Sequence, residues 1–412
     1  MPHYEGPETP RGIDLFAGAG GFTAGLLSAG INITHAFEKH PMAQLTYRVR
    51  HSEANNISIH SDATDLESVR FPHPIDIIVG GPPCQDLSYN GTRPTKAESE
   101  LNKLPFVMIE WAKKLDPKPK VVIVENVEGM KTADGDVLGA LLDEFDAIGY
   151  TTEVIKLCAA NYGVPQDRER LFVIAVRSDI PTPDVWEPPA PCSEGQERLT
   201  QINRGQQQTY QTSGEVLESL PEPLSPTRPQ EDPVHTYLSD YGAAESNRYT
   251  NNRVDPRSHA TPITRDGEEV WIPPNHVAAD HSYSTRENMA QRELGRRSQP
   301  TTSRRLDPEK VAPTITVSNG TKPIHYVGHS PSTPGEPVED VRRLTVREIA
   351  RLQGFMDEYV FAGTAREQTQ QVANAVPPGV AWHLGQHIKN TVLKVQNTPE
   401  RDETRKPTRA TS

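Results

Sequence analysis

The sequence is poor in the features that define several classes of protein. It has three cysteines among 412 residues and no CxxC pair, so we expect no disulfide framework and a cytoplasmic location. It has no apolar run of about 18 residues, so neither a transmembrane helix nor a membrane partner is expected. The first residues lack a basic segment followed by an apolar one, which argues against a secretory signal.

The sequence also lacks an excess of positive charge. Its formal net charge of -12 argues against a protein that simply coats nucleic acid, although a local basic face remains compatible with it. The length is sufficient for one large domain or two ordinary ones, each with its own core.

The first 177 residues alternate short apolar runs with helix-like segments. The apolar runs, rich in β-branched residues, predict buried parallel strands at 12–16, 33–38, 56–60, 75–79 and 121–125. Helices are predicted between them at 22–30 and 104–115, and after them at 135–149. This alternation indicates an α/β fold with a doubly wound, Rossmann-like sheet. Segments 151–160 and 170–176 are separated by a short loop, which predicts an antiparallel hairpin at one end of the sheet.

The composition divides the chain into four parts. Residues 1–185 are predicted to form the α/β domain, and the polar, proline-rich residues 186–341 a second, smaller and irregular domain of strands and loops. Residues 342–395 regain helical patterning and are expected to return to the first domain. Residues 396–412 are predicted to be a disordered tail.

The segment IDLFAGAGGFTAG predicts a strand, a glycine-rich turn and a helix start, which together let a ligand approach the backbone. The pattern GxGxxG is incomplete, because Thr23 stands where the third glycine belongs. The turn alone is therefore weak evidence for a cofactor site. Glu38 strengthens it, since an acid about 20 residues beyond such a turn holds a ribose by its hydroxyls.

Polar or reactive residues follow successive predicted strands. Ligands bind beyond the carboxyl ends of the strands in open α/β sheets, so these residues are expected to converge at one edge. Each acid by itself is more simply a cap or turn residue, but five residues in register favour a site. They are Phe16, Glu38, Asp62, Cys84 and Glu125.

Cys84 lies in GGPPCQDLS, a stiff turn that is an unusual place for a buried structural cysteine. A thiolate there can add to an electron-poor ring while the carboxyl of Glu125 holds a proton on a ring nitrogen. Carbons C6 and C5 of a pyrimidine form such a ring system. Arg168 and Arg170 are two residues apart before an apolar strand and are candidates to bind a carbonyl or phosphate, the alternative being a surface pair balanced by neighbouring acids.

These segments together resemble the cytosine-5 DNA methyltransferases. DLFAGAGGF is similar to the first cofactor motif of that family, GGPPCQDLS to its nucleophile loop and ENV to its glutamate motif. VPQDRERLFVIA is similar to its QxRxR motif, and RRLTVREIARLQGF and NAVPP resemble its last two motifs. Leu87 and Ala373 depart from the usual pattern, at positions where Phe and Gly are common.

The resemblance implies a role for each matching residue. Cys84 would add to C6 of a cytosine, Glu125 would protonate N3, and Arg168 and Arg170 would contact or support the flipped base. The cofactor would be S-adenosyl-L-methionine, with Glu38 on its ribose and Asp62 on its adenine amino group. The other residues expected to line its pocket are Phe16, Gly18, Gly20, Pro83 and Asn374.

Double-stranded DNA is the expected substrate, and its target base must leave the helix before a thiol can reach C6. The resemblance makes residues 186–341 a target-recognition domain. Within it, residues 286–305 hold six arginines against two glutamates, so phosphate contacts are expected there, although each arginine could instead lie on a solvated face. The candidates are Arg292, Arg296, Arg297, Arg304 and Arg305.

Three other functions compete with this one. A tRNA cytosine-5 methyltransferase would share the motifs, but the long insertion favours DNA. A DNA-binding protein with an inactive site would not need Cys84, Glu125 and both arginines. A nicotinamide-dependent dehydrogenase would share the glycine turn but not the cysteine or the late motifs. We expect a monomer without a metal site, with a cognate restriction endonuclease as a candidate partner.

Overall fold

One seven-stranded sheet lies at the centre of the described structure. The computed structural model describes residues 9–52, 55–67, 69–83, 103–127, 130, 137–181, 187–191, 210–224, 261–265, 268–279, 281–295, 304–316, 323–325 and 341–393. The strands are β1 (Arg11–Leu15), β2 (Asn32–Phe37), β3 (Ser58–His60), β4 (Ile77–Gly80), β5 (Val121–Asn126), β6 (Tyr150–Cys158) and β7 (Glu169–Arg177). Their order across the sheet is β3-β2-β1-β4-β5-β7-β6.

The first five strands are parallel, and the last two reverse direction. Ile13 on β1 pairs with His35 on β2 and with Ile78 on β4, both in parallel register. β7 is antiparallel to both of its neighbours, β5 and β6. The predicted doubly wound sheet is therefore confirmed, and the predicted pair of antiparallel strands lies at the end of the sheet with β6 at the edge.

Helices follow most strands and continue after the sheet is complete. A π-helical turn, Arg48–Ser52, extends the second helix. The helices are α1 (Gly21–Ser28), α2 (Pro41–Tyr47), α3 (Leu104–Lys114), α4 (Val137–Ala147), α5 (Ser213–Leu217), α6 (Tyr283–Ala290), α7 (Val346–Leu352), α8 (Ala365–Asn374) and α9 (Pro378–Thr391).

Strand β5 shows why both faces of the sheet are covered. Successive side chains of a strand point to opposite faces. Val121 and Ile123 pack in the cluster that contains Leu384 of α9, whereas Val122 packs with Trp111 of α3. A central strand that buries both faces has to be apolar throughout, as the sequence VVIV is.

The C-terminal helix α9 packs against α1, the helix that follows the glycine turn. The contact depends on glycine, because a Cβ on Gly25 would lie 2.4 Å from the carbonyl oxygen of Pro378. The carbonyl oxygen of Val376 approaches Gly21 equally closely, at 2.3 Å from the position of a Cβ on that glycine. These contacts bring the late motifs to the start of α1.

The inserted region contributes short elements in the described ranges. α5 and α6 belong to it, as does an antiparallel pair formed by β8 (Thr261–Arg265) and β9 (Glu268–Ile272). The boundary at 186–341 and the domain division as a whole remain predictions, and the proposed tail at 396–412 lies outside the described residues. No helix in the described ranges is long and apolar enough to cross a membrane.

Candidate functional site

The carboxyl ends of β2, β1, β4 and β5 are neighbours at one edge of the sheet, and the site is built there. Phe16 and Glu38 directly follow β1 and β2, and Glu125 is the penultimate residue of β5. Asp62 lies two residues after β3. Cys84 lies outside the described residues, but β4 ends at Gly80, so this loop starts at the same edge.

The glycine turn has one open side and one packed side. Gly18 has φ 57° and Gly20 has φ 87°, values that favour glycine, and Phe16 shares this left-handed region at φ 58°. A Cβ on Gly18 would have no atom of the described residues within 4 Å, whereas one on Gly20 would lie 2.6 Å from the imidazole of His51. Among the described residues, Gly18 therefore faces open space, whereas Gly20 packs against His51.

Glu38 is hydrogen-bonded to the backbone of this turn. Its Oε2 accepts a hydrogen bond from the Gly18 amide at 2.8 Å, and its Oε1 accepts one from the His40 amide at 2.6 Å. Each carboxylate oxygen accepts more than one hydrogen bond, so Glu38 retains acceptor capacity for hydroxyl groups of a ligand. The two backbone bonds fix the orientation of the carboxylate.

Asp62 is fixed in a similar way at the next strand. The amide and hydroxyl of Thr64 donate to its Oδ1, at 2.8 and 2.7 Å. These hydrogen bonds hold the pKa of Asp62 below its usual value, and the nearby Lys39 contributes in the same direction. An ionised carboxylate suits a ligand that donates hydrogen bonds.

Glu125 and the two arginines form the second half of the site. Glu125 is 8% exposed, and its Oε1 lies 3.2 Å from Nε of Arg170, although the geometry is not that of an aligned hydrogen bond. Burial raises the pKa of Glu125, an effect that Arg170 and Arg168 oppose. A Cβ on Gly81 would lie 3.2 Å from Oε2 of Glu125, so the carboxyl group contacts the start of the cysteine loop.

Arg168 has donors that the described residues do not satisfy. Its side chain is 1% exposed, and Nη2 donates to the carbonyl oxygen of Ala375 at 3.3 Å. Its Nε and Nη1 are buried and have no hydrogen-bond partner within the described part of the chain. Burial lowers the pKa of Arg168, but a guanidinium stays charged at neutral pH. A buried cation with unused donors is suited to bind an anionic or carbonyl oxygen.

Two buried glutamines that sequence reasoning missed hold this arrangement together. Nε2 of Gln166 donates to Oε1 of Gln353 at 2.6 Å, and Nε2 of Gln353 donates to the Ala375 carbonyl at 2.7 Å. Oε1 of Gln166 accepts from the amide of Ile315 at 3.2 Å. The available signal was a glutamine beside apolar residues in both VPQDR and RLQGF, because such a glutamine needs buried partners.

Other predicted residues lie around this centre with fewer contacts. Pro83 is exposed, directly before the undescribed part of the cysteine loop. Asn374 is exposed at the end of α8, one residue before the segment that packs on Gly21. Ala373 lies inside α8 and outside the positive-φ region, so the usual glycine is not needed at that position.

Two of the five arginines predicted to contact DNA are largely buried in the described structure. Arg305 is 6% exposed and donates to the carbonyl of Ala290 at 3.0 Å, and Arg292 is 9% exposed and donates to Asn288 at 2.9 Å. Their burial favours structural contacts within the inserted region.

Arg304, another of the predicted arginines, lies near enough to Asp167 to lower the pKa of that carboxyl, although burial of Asp167 raises its pKa overall. Arg296 and Arg297 lie outside the described residues.

Comparison with known proteins identifies the family of this chain. The family model of the C-5 cytosine-specific DNA methylases matches residues 11–390. The chain belongs to this family. The protein is therefore a DNA (cytosine-5-)-methyltransferase that uses S-adenosylmethionine as its methyl donor.

Individual methylases match over most of their length. Type II methyltransferase M.DdeI of Desulfomicrobium norvegicum is 30% identical over 400 residues, which cover 91% of this chain and 88% of the relative. M.Eco47II of Escherichia coli is 27% identical over 387 residues, covering 93% and 79%. A prophage-encoded E. coli protein described as a DNA modification methyltransferase superposes with a TM-score of 0.65 at 22% identity, covering 93% and 99%. This last likeness supports the fold of the methylase.

The glycine turn fits the cofactor of a methylase. A nucleoside with a sulfonium side chain needs a carboxylate for its ribose, an acceptor for its adenine amino group and a backbone that it can approach closely. Glu38, Asp62 and the open side of Gly18 provide these three features at the ends of three neighbouring strands.

Proposed function

We propose that this methyltransferase methylates C5 of a flipped cytosine within a specific sequence of double-stranded DNA, through a transient bond between Cys84 and C6. The observation that carries the proposal is the buried carboxyl of Glu125, which lies beside two arginines and against Gly81, at the start of the cysteine loop. This arrangement supports an acid and a nucleophile that act on one ring.

The buried carboxyl of Glu125 suits it to hold a proton. Since burial raises its pKa, a larger fraction of Glu125 is protonated near neutral pH than for a solvated glutamate. A protonated carboxyl donates to N3 of cytosine and reduces the negative charge that develops when sulfur adds to C6. The arginines keep the site from becoming anionic and offer donors to the base or its phosphate.

The thiolate of Cys84 forms the bond to C6, and the electron pair of the C5–C6 double bond becomes available at C5. S-adenosylmethionine, when bound, would supply an electrophilic methyl group for this pair, and its sulfur–methyl bond would break to leave neutral S-adenosylhomocysteine. Loss of the C5 proton to solvent then expels Cys84 and restores the double bond. Cys84 leaves as the thiolate that attacked, and N3 returns its proton to Glu125, so both residues are regenerated.

The cofactor is proposed to lie along the strand ends that precede this reaction centre. Glu38 would bind the ribose hydroxyls and Asp62 the adenine amino group, with the turn at Gly18 and Gly20 beneath them. Phe16, Pro83 and Asn374 complete the proposed pocket.

We also propose that the enzyme acts as a cytoplasmic monomer beside a cognate restriction endonuclease. Two relatives that match nearly the whole chain are named Type II methyltransferases, which supports the endonuclease as a partner. The inserted region, residues 186–341, is proposed to read the DNA sequence. Arg296, Arg297 and Arg304 are the stronger candidates for phosphate contacts, because Arg292 and Arg305 are largely buried.

Expression in a methylation-free host, followed by conversion sequencing of its DNA, would identify the modified sequence. A duplex with 5-fluorocytosine at that site should then trap the wild-type enzyme when S-adenosylmethionine is present, because fluorine at C5 cannot be lost as a proton is. The expected result is a protein–DNA adduct that survives denaturation.

The Cys84→Ala variant should form no adduct and transfer no methyl group. Methylation of DNA by this variant would disprove the covalent mechanism. Labelling of tRNA but not of the duplex would instead disprove the proposed substrate.

A further inference from the structure

Two side chains that are distant in the sequence hydrogen bond with the backbone of the glycine turn on its packed side. The hydroxyl of Tyr359 donates to the carbonyl of Ala19 at 2.7 Å, and Nε2 of His51 lies 3.2 Å from the carbonyl of Gly20. Nε2 of His51 and the hydroxyl of Tyr359 are themselves 2.6 Å apart. All of these groups are buried.

The direction of these hydrogen bonds follows from what each atom can do. A carbonyl oxygen only accepts, so Nε2 of His51 must carry a hydrogen to bond with Gly20. The hydroxyl of Tyr359 gives its hydrogen to Ala19 and therefore accepts from His51. Burial, with Arg50 nearby, lowers the pKa of His51 to about 3, so the ring stays neutral and the same tautomer persists at neutral pH.

The position of Tyr359 is fixed by its own surroundings rather than by the turn. Its ring packs against Phe355 and Phe361, with ring centroids 4.7 and 5.3 Å away. The guanidinium of Arg347 donates to the carbonyls of Tyr359 and Met356. Contacts that do not involve the turn therefore hold Tyr359, which is the condition for positioning another group.

Arg347 also joins this tyrosine to the inserted region. Its Nε donates to the carbonyl of Pro274 at 2.9 Å, and its amide donates to the carbonyl of Asn275 at 3.0 Å. The side chain of Asn275 in turn exchanges two hydrogen bonds with the backbone of Phe361, at 2.9 and 3.0 Å. The segment that contains Tyr359, and so contacts the glycine turn, is therefore also hydrogen-bonded to the inserted region.

We propose that Tyr359, together with His51, is a positioning residue that holds the backbone of the glycine turn in its cofactor-binding geometry. The inference rests on the proposed placement of S-adenosylmethionine at Gly18 and Glu38. Neither Tyr359 nor His51 lies on the open side of the turn. Their contribution is to keep the amide of Gly18 and its partner Glu38 in place.

The variant Tyr359→Phe tests this role because it removes the hydroxyl and keeps the ring. The dissociation constant for S-adenosylmethionine, measured by calorimetry without DNA, should rise about five- to tenfold, since two buried groups lose a partner behind the turn. The KM for S-adenosylmethionine should rise by a similar factor, while kcat at saturating cofactor changes by less than about threefold.

Tyr150→Phe is the matched control. Tyr150 is equally buried, and its hydroxyl also donates to a backbone carbonyl, that of Pro119 at 2.6 Å, at the opposite end of the sheet's strands from the turn. Both variants should lower the thermal midpoint of unfolding, but only Tyr359→Phe should weaken cofactor binding. Equal cofactor affinity in the two variants would show that Tyr359 contributes to stability alone.

His51 provides an independent pair of variants. His51→Ala removes the donor to Gly20 and should weaken cofactor binding as Tyr359→Phe does. His51→Gln places an amide donor near the position of Nε2 and should restore part of the affinity. Unchanged affinity in His51→Ala would contradict the inference.

The variant Glu38→Ala distinguishes a failure of the positioning role from a failure of the proposed cofactor site. Weak cofactor binding by Glu38→Ala with unchanged binding by Tyr359→Phe would overturn only the positioning role. Unchanged binding by Glu38→Ala would overturn the placement of the cofactor, and the inference with it.

Discussion

Asp14 is a buried carboxyl in β1, two residues before the glycine turn. It accepts a hydrogen bond from the hydroxyl of Thr23 at 2.7 Å, and that hydroxyl also lies 2.8 Å from the hydroxyl of Tyr47. Burial raises the pKa of Asp14 to about 7, against the hydrogen bonds from Thr23, which lower it. We therefore expect the carboxyl of Asp14 to titrate near neutral pH beneath the glycine turn.

The variant Asp14→Asn should reveal this titration as a change in stability. Between about pH 4 and 7 the folded protein holds a proton that the unfolded chain has released, so stability is lost as the pH rises through this window. The ceiling of this loss is roughly 4 kcal/mol. Asn keeps an acceptor for Thr23 without the charge. Urea unfolding should therefore show Asp14→Asn gaining stability relative to wild type from pH 5 to pH 8.

A difference in unfolding free energy that is the same at both pH values would contradict this expectation. It would mean that Asp14 does not change its protonation state between the folded and unfolded forms over this range.

At the scale of elements, α7 and α8 begin with the same motif in different surroundings. Both have a Thr-x-x-Glu capping box, with Thr345 and Glu348 in α7 and Thr364 and Glu367 in α8. Thr364 is exposed. Thr345 is buried, and its hydroxyl also hydrogen bonds with Nδ1 of His276, a residue of the inserted region, at 2.9 Å.

Thr345→Ala should therefore destabilise the protein more than Thr364→Ala. Loss of an exposed cap costs about 1 kcal/mol, whereas Thr345→Ala also leaves a buried imidazole nitrogen without its partner, which adds about 1–2 kcal/mol. Chemical unfolding of the two variants side by side measures the difference. Equal losses would show that the contact with His276 contributes nothing to stability.

At the scale of the whole molecule, several histidines are held neutral by burial. Burial lowers the pKa of His51 to about 3 and that of His325 and His35 to about 4, with His35 only partly enclosed. Unfolded histidines take up protons below about pH 6.5, so the unfolded state binds more protons than the folded state between about pH 6.5 and 4. Stability is therefore expected to fall as the pH falls through this window.

We expect the free energy of unfolding to decrease from pH 6.5 to about pH 4.5, with His51 alone contributing about 2–3 kcal/mol. Asp14 opposes this trend, because its raised pKa favours the folded state in acid. The variant His51→Gln, which does not titrate, should show a shallower dependence on pH. A slope identical to wild type would contradict the assignment of His51 as a neutral buried histidine.

Much of the fold could be predicted from the sequence. The strands predicted at 12–16, 33–38, 75–79 and 121–125 lie within about two residues of β1, β2, β4 and β5, because short β-branched runs bounded by turns are a local signal. The site edge was equally predictable, since polar residues at the carboxyl ends of neighbouring parallel strands lie at the same edge of the sheet. Glu38 and Glu125 are such residues.

The missed residues share a different property. Gln166, Gln353, His51 and Tyr359 act through partners that lie far away along the chain, for example 308 residues between His51 and Tyr359. No local pattern marks His51 or Tyr359, and the signal at Gln166 and Gln353 does not reveal their partners. The burial of Arg292 and Arg305 could not be predicted from the sequence either, because an arginine-rich segment has the same composition whether it faces DNA or packs internally.

The sequence by itself determined the class of fold and the family, because these depend on local patterning and on motifs in a given order, and it predicts the reacting groups. Only the tertiary structure decided which buried donors support the site. It showed that Arg168 has donors without a partner in the described part of the chain, and that Tyr359 and His51 hydrogen bond with the backbone of the glycine turn. The physical reason is that a hydrogen bond depends on the position of both partners in space, and folding brings together partners that the sequence keeps hundreds of residues apart.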